Sequence, residues 1–244
     1  EDYLKKLRFV LTPQDGSWLV TRPYFRLDIE IEEDLIEEVA RMYGYERIPA
    51  KQLQGELPEK IDQSFPEFIY DLKKALSGAG LTEVQTYSFY SSKTINDLRL
   101  TINDLIKIAN PISSETEYMR DMIWPNLLEK AAENLKYFKE VVIFEIGKAY
   151  QAKPKLKEEY RLSMLLSDSS DNPIQELYQI FQGVYPAHFQ GVNRVSPHQE
   201  YFHPTRFASL EKDGEQVGWV AEIHPRIANK FGIEKRVAVL EIKI

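Results

Sequence analysis

No cysteine occurs among the 244 residues, which excludes disulfides, thiolate metal centres and a cysteine nucleophile in one step. No apolar run is long enough to cross a bilayer. The opening residues, EDYLKKLRF, mix acids and bases around a helical apolar pattern, unlike a signal or transit peptide. A cytoplasmic location is compatible with these features and not demanded by them. Phosphate-cradling G-x-x-x-x-G-K, dinucleotide-type G-x-G-x-x-G and the G-x-S-x-G nucleophile elbow are all missing. Positive charge is in deficit, with 31 Lys and Arg against 38 Asp and Glu and a formal net charge of −7. That balance argues against a free-standing binder of DNA or RNA, because phosphate affinity rests on clustered cations. An RNA partner would have to be attracted mostly by other chains or domains.

What is present centres on Arg22 to Pro49, RPYFRLDIEIEEDLIEEVARMYGYERIP, the densest set of carboxylates in the chain. Phe25 to Ile31 alternates apolar and polar residues and predicts a half-buried strand with Asp28 pointing away from the core. From Glu32 the period becomes helical, with Leu35, Val39 and Met42 inward, Ile36 and Tyr43 widening the stripe, and Gly44 as a stop. Asp34, Glu37, Glu38 and Arg41 then share the outer face. Two readings stay open. One is a solvated helix face with Glu37 paired to Arg41. The other is a hard-cation site in which Asp28 meets Asp34, Glu37 and Glu38, all oxygen ligands that favour magnesium or calcium over zinc.

Before this stretch, Glu1 to Phe9 reads as a short helix with Leu4 and Leu7 inward, Asp15-Gly16 as a turn, and Trp18 to Thr21 as a strand. Ala50 to Gln63 lacks a period and reads as a linker. Ser64 then caps a helix with Pro66 in its first turn and Glu67 in capping-box position. Its stripe of Phe65, Phe68, Ile69, Leu72 and Leu76 packs either on its own sheet or on a partner, and spacing does not separate the two. Leu81 to Phe89 reads as a strand, and Leu98 to Ala109 as one or two more. Trp124-Pro125 opens a helix through Leu135, and Val141 to Gly147 is a buried strand. Ala149 to Glu159 reads as an exposed hairpin loop, Leu162 to Leu166 as a strand and Pro173 to Tyr185 as a helix.

After it, Asp213-Gly214 marks a hairpin turn between strands. Arg120 reads as a structural salt bridge or hydrogen bond to a loop, Glu145 as paired with a base or facing solvent. His203 and His224, each before a proline, read as turn anchors rather than metal ligands. His188 and His198 lack even that context.

Three blocks together resemble the beta subunit of bacterial phenylalanyl-tRNA synthetase: RLDIEIEEDLIEEVARMYGYERIP; the run from Gly80 through Phe89 and NPISSETEYMRDMIWPNLL to FEIG at Phe144–Gly147; and the series His203-Pro204, Arg206, Ala208, Gly214, Gly218, Glu222 and His224-Pro225. The Asp-Phe-x-Asp-Leu-Lys-Gly-like segment usual in that family near residue 173 is not found, so 173–199 is divergent. The resemblance implies an α+β chain: a partial winged-helix-like α/β domain over 1–50, begun partway through, a linker over 51–63, and over 64–244 an antiparallel class II synthetase-like sheet with flanking helices.

It further implies structural magnesium on Asp28, Asp34, Glu37 and Glu38, and a subunit interface on the Phe65–Leu76 stripe. The implied partner is an alpha subunit, in a heterotetramer of two alpha and two beta chains. ATP is handled only by alpha, and tRNA is met by the whole complex in the cytoplasm. No catalytic residue falls to this chain, because the Gly-rich strand ending in an ATP-contacting Arg is absent and Glu241 stands in the last strand instead. Rival readings are a stand-alone class II-like adenylate-forming enzyme, which ATP–pyrophosphate exchange would reveal, and a repurposed interaction module.

Overall fold

A computed structural model describes residues 1–52, 55, 61–153, 155–185, 192–193 and 200–244, the side chains of 192 and 193 excepted. The chain divides into two compact units, Glu1–Ile61 and Asp62–Ile244. Most of the expected linker, residues 53–54 and 56–60, lies outside the described residues, as do His188 and His198.

The first unit consists of α1 (Asp2–Lys6), β1 (Val10–Gln14), β2 (Ser17–Thr21) and α2 (Glu32–Tyr43). The strands pair antiparallel from Val10↔Thr21 to Gln14↔Ser17 across Asp15 and Gly16. Both turn residues have positive φ, 39° and 81°, as a two-residue hairpin matching strand twist requires. The hairpin partner of β2 is thus β1, and Phe25 to Ile31 is not a strand. Its backbone is held by a side chain instead, since Arg22 Nη1 donates to the carbonyls of Leu27 (3.0 Å) and Ile29 (2.7 Å). Of the alternating residues only Ile29 is buried, joining Leu4 and Phe9 in a small core flanked by Leu7, Leu11, Val20 and Leu35.

Helix α2 departs from its pattern too. Ile36 is 59 % exposed and Glu38 only 7 %. The apolar side of α2 lines an open groove of about 800 Å³ with Trp18, Val20, Ile31, Ile36, Val39 and Tyr43.

The second unit carries α3 (Ser64–Gly78), β3 (Thr82–Glu83), β4 (Phe89–Tyr90), α4 (Ser92–Leu98), β5 (Ile106–Lys107), β6 (Tyr118–Met119), α5 (Trp124–Asn134), β7 (Val141–Gln151), β8 (Lys157–Ser167), α6 (Pro173–Val184), β9 (Val192–Asn193), β10 (Phe202–Lys212), β11 (Glu215–Ile223), α7 (Pro225–Lys230) and β12 (Ala238–Lys243). Among the described residues a seven-stranded sheet runs β3-β7-β8-β12-β11-β10-β9, and a small one runs β4-β6-β5. The large sheet is antiparallel except for the short β3–β7 contact.

Both faces of the large sheet are covered, so its strands alternate between two cores rather than between core and water. Leu162, Met164 and Leu166 of β8 and Leu240 and Ile242 of β12 meet α3 and α6. Leu165 and Val239 on the same strands meet α5 and α7, where Trp124 lies among Tyr201, Phe202 and Trp219. The α+β architecture of a helix-flanked antiparallel sheet is the one expected.

Several local expectations fail for identifiable reasons. Ser64 does not cap α3; Asp62 Oδ1 accepts from Ser64 N at 2.9 Å, so the cap comes from two residues upstream. Leu81 to Phe89 is paired only at β3 and from Phe89, and Leu98 to Ala109 holds a 3₁₀ turn, Ile102–Asp104, and two-residue β5. Helix α4 was not legible in periodicity, although Ser91 caps it by accepting from Thr94 N at 3.0 Å. Strands β7 and β8 reach Gln151 and Lys157, leaving a shorter loop than Ala149 to Glu159.

Candidate functional site

In the first unit, two arginines rather than one organise the acids. Arg26 Nε donates to Asp28 Oδ1 and Oδ2 (2.9 and 3.1 Å), and its Nη2 reaches Asp28 Oδ2 (2.6 Å) and Glu38 Oε1 (2.9 Å). Arg41 Nη2 donates to Glu38 Oε2 at 2.6 Å, so Arg41 pairs three residues back and not with Glu37. Hydrogen bonds from Arg26 hold the Asp28 carboxyl down at about 2, and those from Arg26 and then Arg41 bring Glu38 to about 2.

Asp34 faces its own helix start, where Oδ2 accepts from the backbone N–H of Glu30 (2.8 Å) and Ile31 (3.0 Å), which lowers its pKa. Glu37 is exposed and has no hydrogen bond or ion pair among the described residues. Of the four expected magnesium ligands, then, Asp28 and Glu38 are brought together, with a guanidinium between them, while Asp34 and Glu37 turn elsewhere. Among the described residues no group of three or more acids or histidines could hold a metal ion. The four are oxygen donors of the kind a hard cation takes, and the side chains as placed bring only Asp28 and Glu38 onto one partner. Arg26 was not singled out in the sequence, though its position two before Asp28 was the available signal.

In the second unit, a polar row crosses the α5 face of the sheet, where Glu145 and Glu241 both register with Ser163, and Trp219 with Glu241. Arg120 is only 2 % exposed. Its Nη2 pairs with Glu145 Oε1 at 2.8 Å, Nη1 donates to Thr86 Oγ1 at 2.8 Å, and Nε donates to the Lys148 carbonyl at 3.0 Å. Thr86 closes the ring by donating to Glu145 Oε2 at 2.6 Å. Gly147 makes room, since a Cβ there would stand 2.5 Å from Arg120 Nη2. The structural reading of Arg120 therefore holds, and Arg120 is the base with which Glu145 pairs.

Glu241 Oε2 accepts from Ile123 N and Trp124 N, both at 2.9 Å, capping α5 from the far end of the sequence, and its Oε1 takes Arg161 Nη1 at 3.1 Å. Arg161 also reaches Glu159 (3.2 Å), which pairs with Lys157 and Lys243 as well. Beside them Tyr90 OH bridges Asp121 Oδ1 (2.9 Å) and the Met122 carbonyl (2.8 Å), and burial pushes the Asp121 carboxyl up. Two cations of this face, buried Arg120 and partly buried Arg161, are engaged by buried carboxylates. The donors of Arg120 are taken up by Glu145, Thr86 and the Lys148 carbonyl, whereas Arg161 Nε has no hydrogen-bond partner among the described residues.

The two turn histidines behave as expected. His203 Nδ1 accepts from Thr205 N (3.3 Å) and His224 Nδ1 from Arg226 N (3.1 Å), the latter capping α7.

The expected interface stripe on α3 is divided. Leu72 and Leu76 are buried in the chain's own core, and Phe68 packs beside it, so the inward half of the stripe is self-packing. Ile69 is half-buried. Phe65 turns outward and meets Tyr160 edge to face, centroids 5.1 Å apart, and Lys148 Nζ also lies over the Tyr160 ring at 5.6 Å. Tyr70, 64 % exposed on the same helix, was missed because it is off the apolar period.

Comparison with known proteins covers both units. Residues 48–244 match the family described as phenylalanyl tRNA synthetase beta chain CLM domain, and residues 1–45 match the tRNA synthetase B5 domain. A phenylalanine–tRNA ligase beta subunit of Pseudomonas savastanoi pv. phaseolicola is 31 % identical over 96 % of this chain and 31 % of the relative. One from Pseudomonas syringae pv. syringae is 31 % identical over 99 % of this chain and 32 % of the relative. The chain thus spans about a third of the length of these curated relatives. Among solved structures, a pyrrolysyl tRNA synthetase from Desulfitobacterium hafniense aligns with a TM-score of 0.61 over 74 % of this chain and 66 % of its own, at 17 % identity. That last likeness concerns the fold of the sheet and its helices. With the family match running from residue 48 to residue 244, this chain belongs to the phenylalanyl-tRNA synthetase beta chain family.

Proposed function

We propose that this chain is a non-catalytic central part of a phenylalanine–tRNA ligase beta subunit, which holds an alpha subunit during ATP-dependent charging of tRNA with phenylalanine. In this reading the assembly is a cytoplasmic heterotetramer of two alpha and two beta chains, ATP is bound by alpha, and tRNA is met by the whole complex. The observation that carries the reading is the occupied face of the large sheet. Arg120 is closed onto Glu145 and Thr86, and Glu241 holds both the start of α5 and Arg161.

A group that must stabilise phosphate charge in a transition state needs a cation or N–H donors free to turn toward it. Here the α5 amino end is already taken by a carboxylate, which counts against the stand-alone adenylate-forming enzyme. The relatives named as beta subunits support a role beside a second kind of chain. The outward residues of α3 and its neighbours, Phe65, Tyr70 and Tyr160, offer the aromatic anchors that interfaces favour.

The test is to mix the chain with a bacterial phenylalanyl-tRNA synthetase alpha subunit and to measure mass by size-exclusion chromatography with light scattering. A complex that persists through the column is the expected result. Clean separation at high concentration would sink the scaffold role for these residues.

A further inference from the structure

The outer aromatic rings of this chain differ in what stands beside them. Tyr70, Tyr118 and Tyr160 each have a lysine of the chain itself over the ring, 5.5 to 5.7 Å from its centroid. Tyr24 and Phe25 of the first unit meet each other edge to face, and the arginines around them are engaged, Arg22 on backbone carbonyls and Arg26 on Asp28 and Glu38. The run Lys136-Tyr137-Phe138-Lys139, between α5 and β7, has neither kind of cover. Tyr137 is 84 % and Phe138 60 % exposed. Among the described residues neither ring meets another ring or a cation, and exposed Lys136 and Lys139 form no ion pair.

This run is tied down through its backbone. The amides of Tyr137 and Phe138 both donate to the Asn134 carbonyl at 2.9 Å, and Asn134 Nδ2 donates to the Lys130 carbonyl at 2.8 Å, which anchors the loop to the last turn of α5. Lys235 Nζ donates to the Lys139 carbonyl and fastens the loop to the segment between α7 and β12. Leu135 and residues 232–235 together line an open hollow of about 200 Å³. Residues 135–140 and 232–235 carry three lysines against two glutamates, Glu140 and Glu234, a local positive excess in a chain of net charge −7.

We propose that Tyr137 and Phe138 form a stacking platform for unpaired nucleotides of RNA, with Lys136, Lys139 and Lys235 beside them to meet the phosphates. An unpaired base offers an aromatic face next to an anionic backbone, and single-strand binders answer it with exposed rings set among cations. A duplex keeps its base faces stacked inside, so it could use only the lysines. A protein partner would cover the rings with apolar side chains, and protein interfaces are depleted of lysine. Naming the RNA as tRNA rests on the function proposed above. Three lysines do not hold RNA alone at physiological salt. Other domains bring the strand, and this patch stacks on it.

The test uses the whole chain at low salt with a labelled oligo-uridylate of about ten nucleotides, within the site sizes of single-strand binders, and an RNA hairpin duplex of equal charge as the second probe. The oligo-uridylate is expected to bind more tightly than the duplex. Tyr137→Ser and Phe138→Ser should each weaken it about fivefold or more, while Tyr137→Phe, which keeps the ring, should bind as wild type. Lys136→Gln with Lys139→Gln should weaken binding and flatten its salt dependence. Tyr137 is exposed enough for its replacement to leave the fold intact, which an unchanged Tm checks.

No binding at low salt, equal binding of the duplex, or ring substitutions without effect on the oligo-uridylate each overturns the proposal. So does Tyr137→Ser that weakens association with an alpha subunit and leaves RNA binding unchanged, because the rings would then belong to a protein contact. The scaffold role is read separately on the column: a chain that joins alpha and takes up no oligo-uridylate sinks only the platform, and the reverse result sinks only the scaffold.

Discussion

Glu38 shows how far one residue's surroundings can reverse its expected role. It sits on what reads as a solvated acidic face, yet it is more deeply buried than Leu35, Ile36 or Val39 on the same helix. Its carboxyl is lowered from 4.5 to about 2 and that of Asp28 from 3.8 to about 2, in both cases by arginine hydrogen bonds. Since the unfolded chain takes up these protons first, the stability they add is full above pH 4.5 and is lost as pH falls toward about 2. Replacing Glu38 by Gln should therefore flatten the acid limb of the first unit's stability, read from amide exchange in α2 at a series of pH values. An unchanged acid slope in Glu38→Gln would mean that other groups carry it. The acids themselves were legible in the sequence, and so was the structural role of Arg120. What no spacing could show was which base each acid meets: Glu145 lies 25 positions from Arg120 and joins it only when β7 is in place.

At the scale of the element, α3 separates what helical periodicity can and cannot tell. The period located the helix and its buried line, because Leu72 and Leu76 lie on one side against the sheet. It could not assign the outward line, where Tyr70 falls between the apolar positions. Truncating Leu76 to Ala should cost about 2–5 kcal/mol in urea unfolding, as fully buried leucines do. Phe65→Ser with Tyr70→Ser should stay within about 1 kcal/mol of wild type in the same assay. That pair should instead weaken association with an alpha subunit about tenfold or more, as loss of aromatic anchors does. If the complex is unaffected while Leu76→Ala unfolds normally, the partner does not use this helix. The failed strand at Phe25 to Ile31 has a different cause. Alternation is necessary for a half-buried strand and not sufficient, and here the Arg22 side chain claims the carbonyls that a neighbouring strand would have used.

For the whole molecule, net charge was legible from the start and sets its conduct toward nucleic acid. With a formal charge of −7 the chain alone is expected to retain no tRNA in a filter assay at about 0.15 M salt. Retention that falls steeply with added salt would place phosphate contacts on these residues and remove the need for other domains to supply them. The order of the sheet, by contrast, was out of reach of local pattern. Long apolar strands announce themselves, but nothing in Ala238–Lys243 says that it lies between β8 and β11 rather than at an edge.

That placement governs how the domain can be made. β12 is the last of the described strands to leave a ribosome, and until it does, β3-β7-β8 and β11-β10-β9 are two separate ribbons, each with a bare inner edge. The amino end of α5 waits as well, since the carboxylate that satisfies it is 117 residues downstream at Glu241. Vectorial synthesis therefore cannot complete this core in stages. A message truncated a few codons before residue 238 leaves the second unit with two hydrophobic edges open to pairing with its neighbours, so translation through the codons of Ala238–Lys243 decides whether that unit folds.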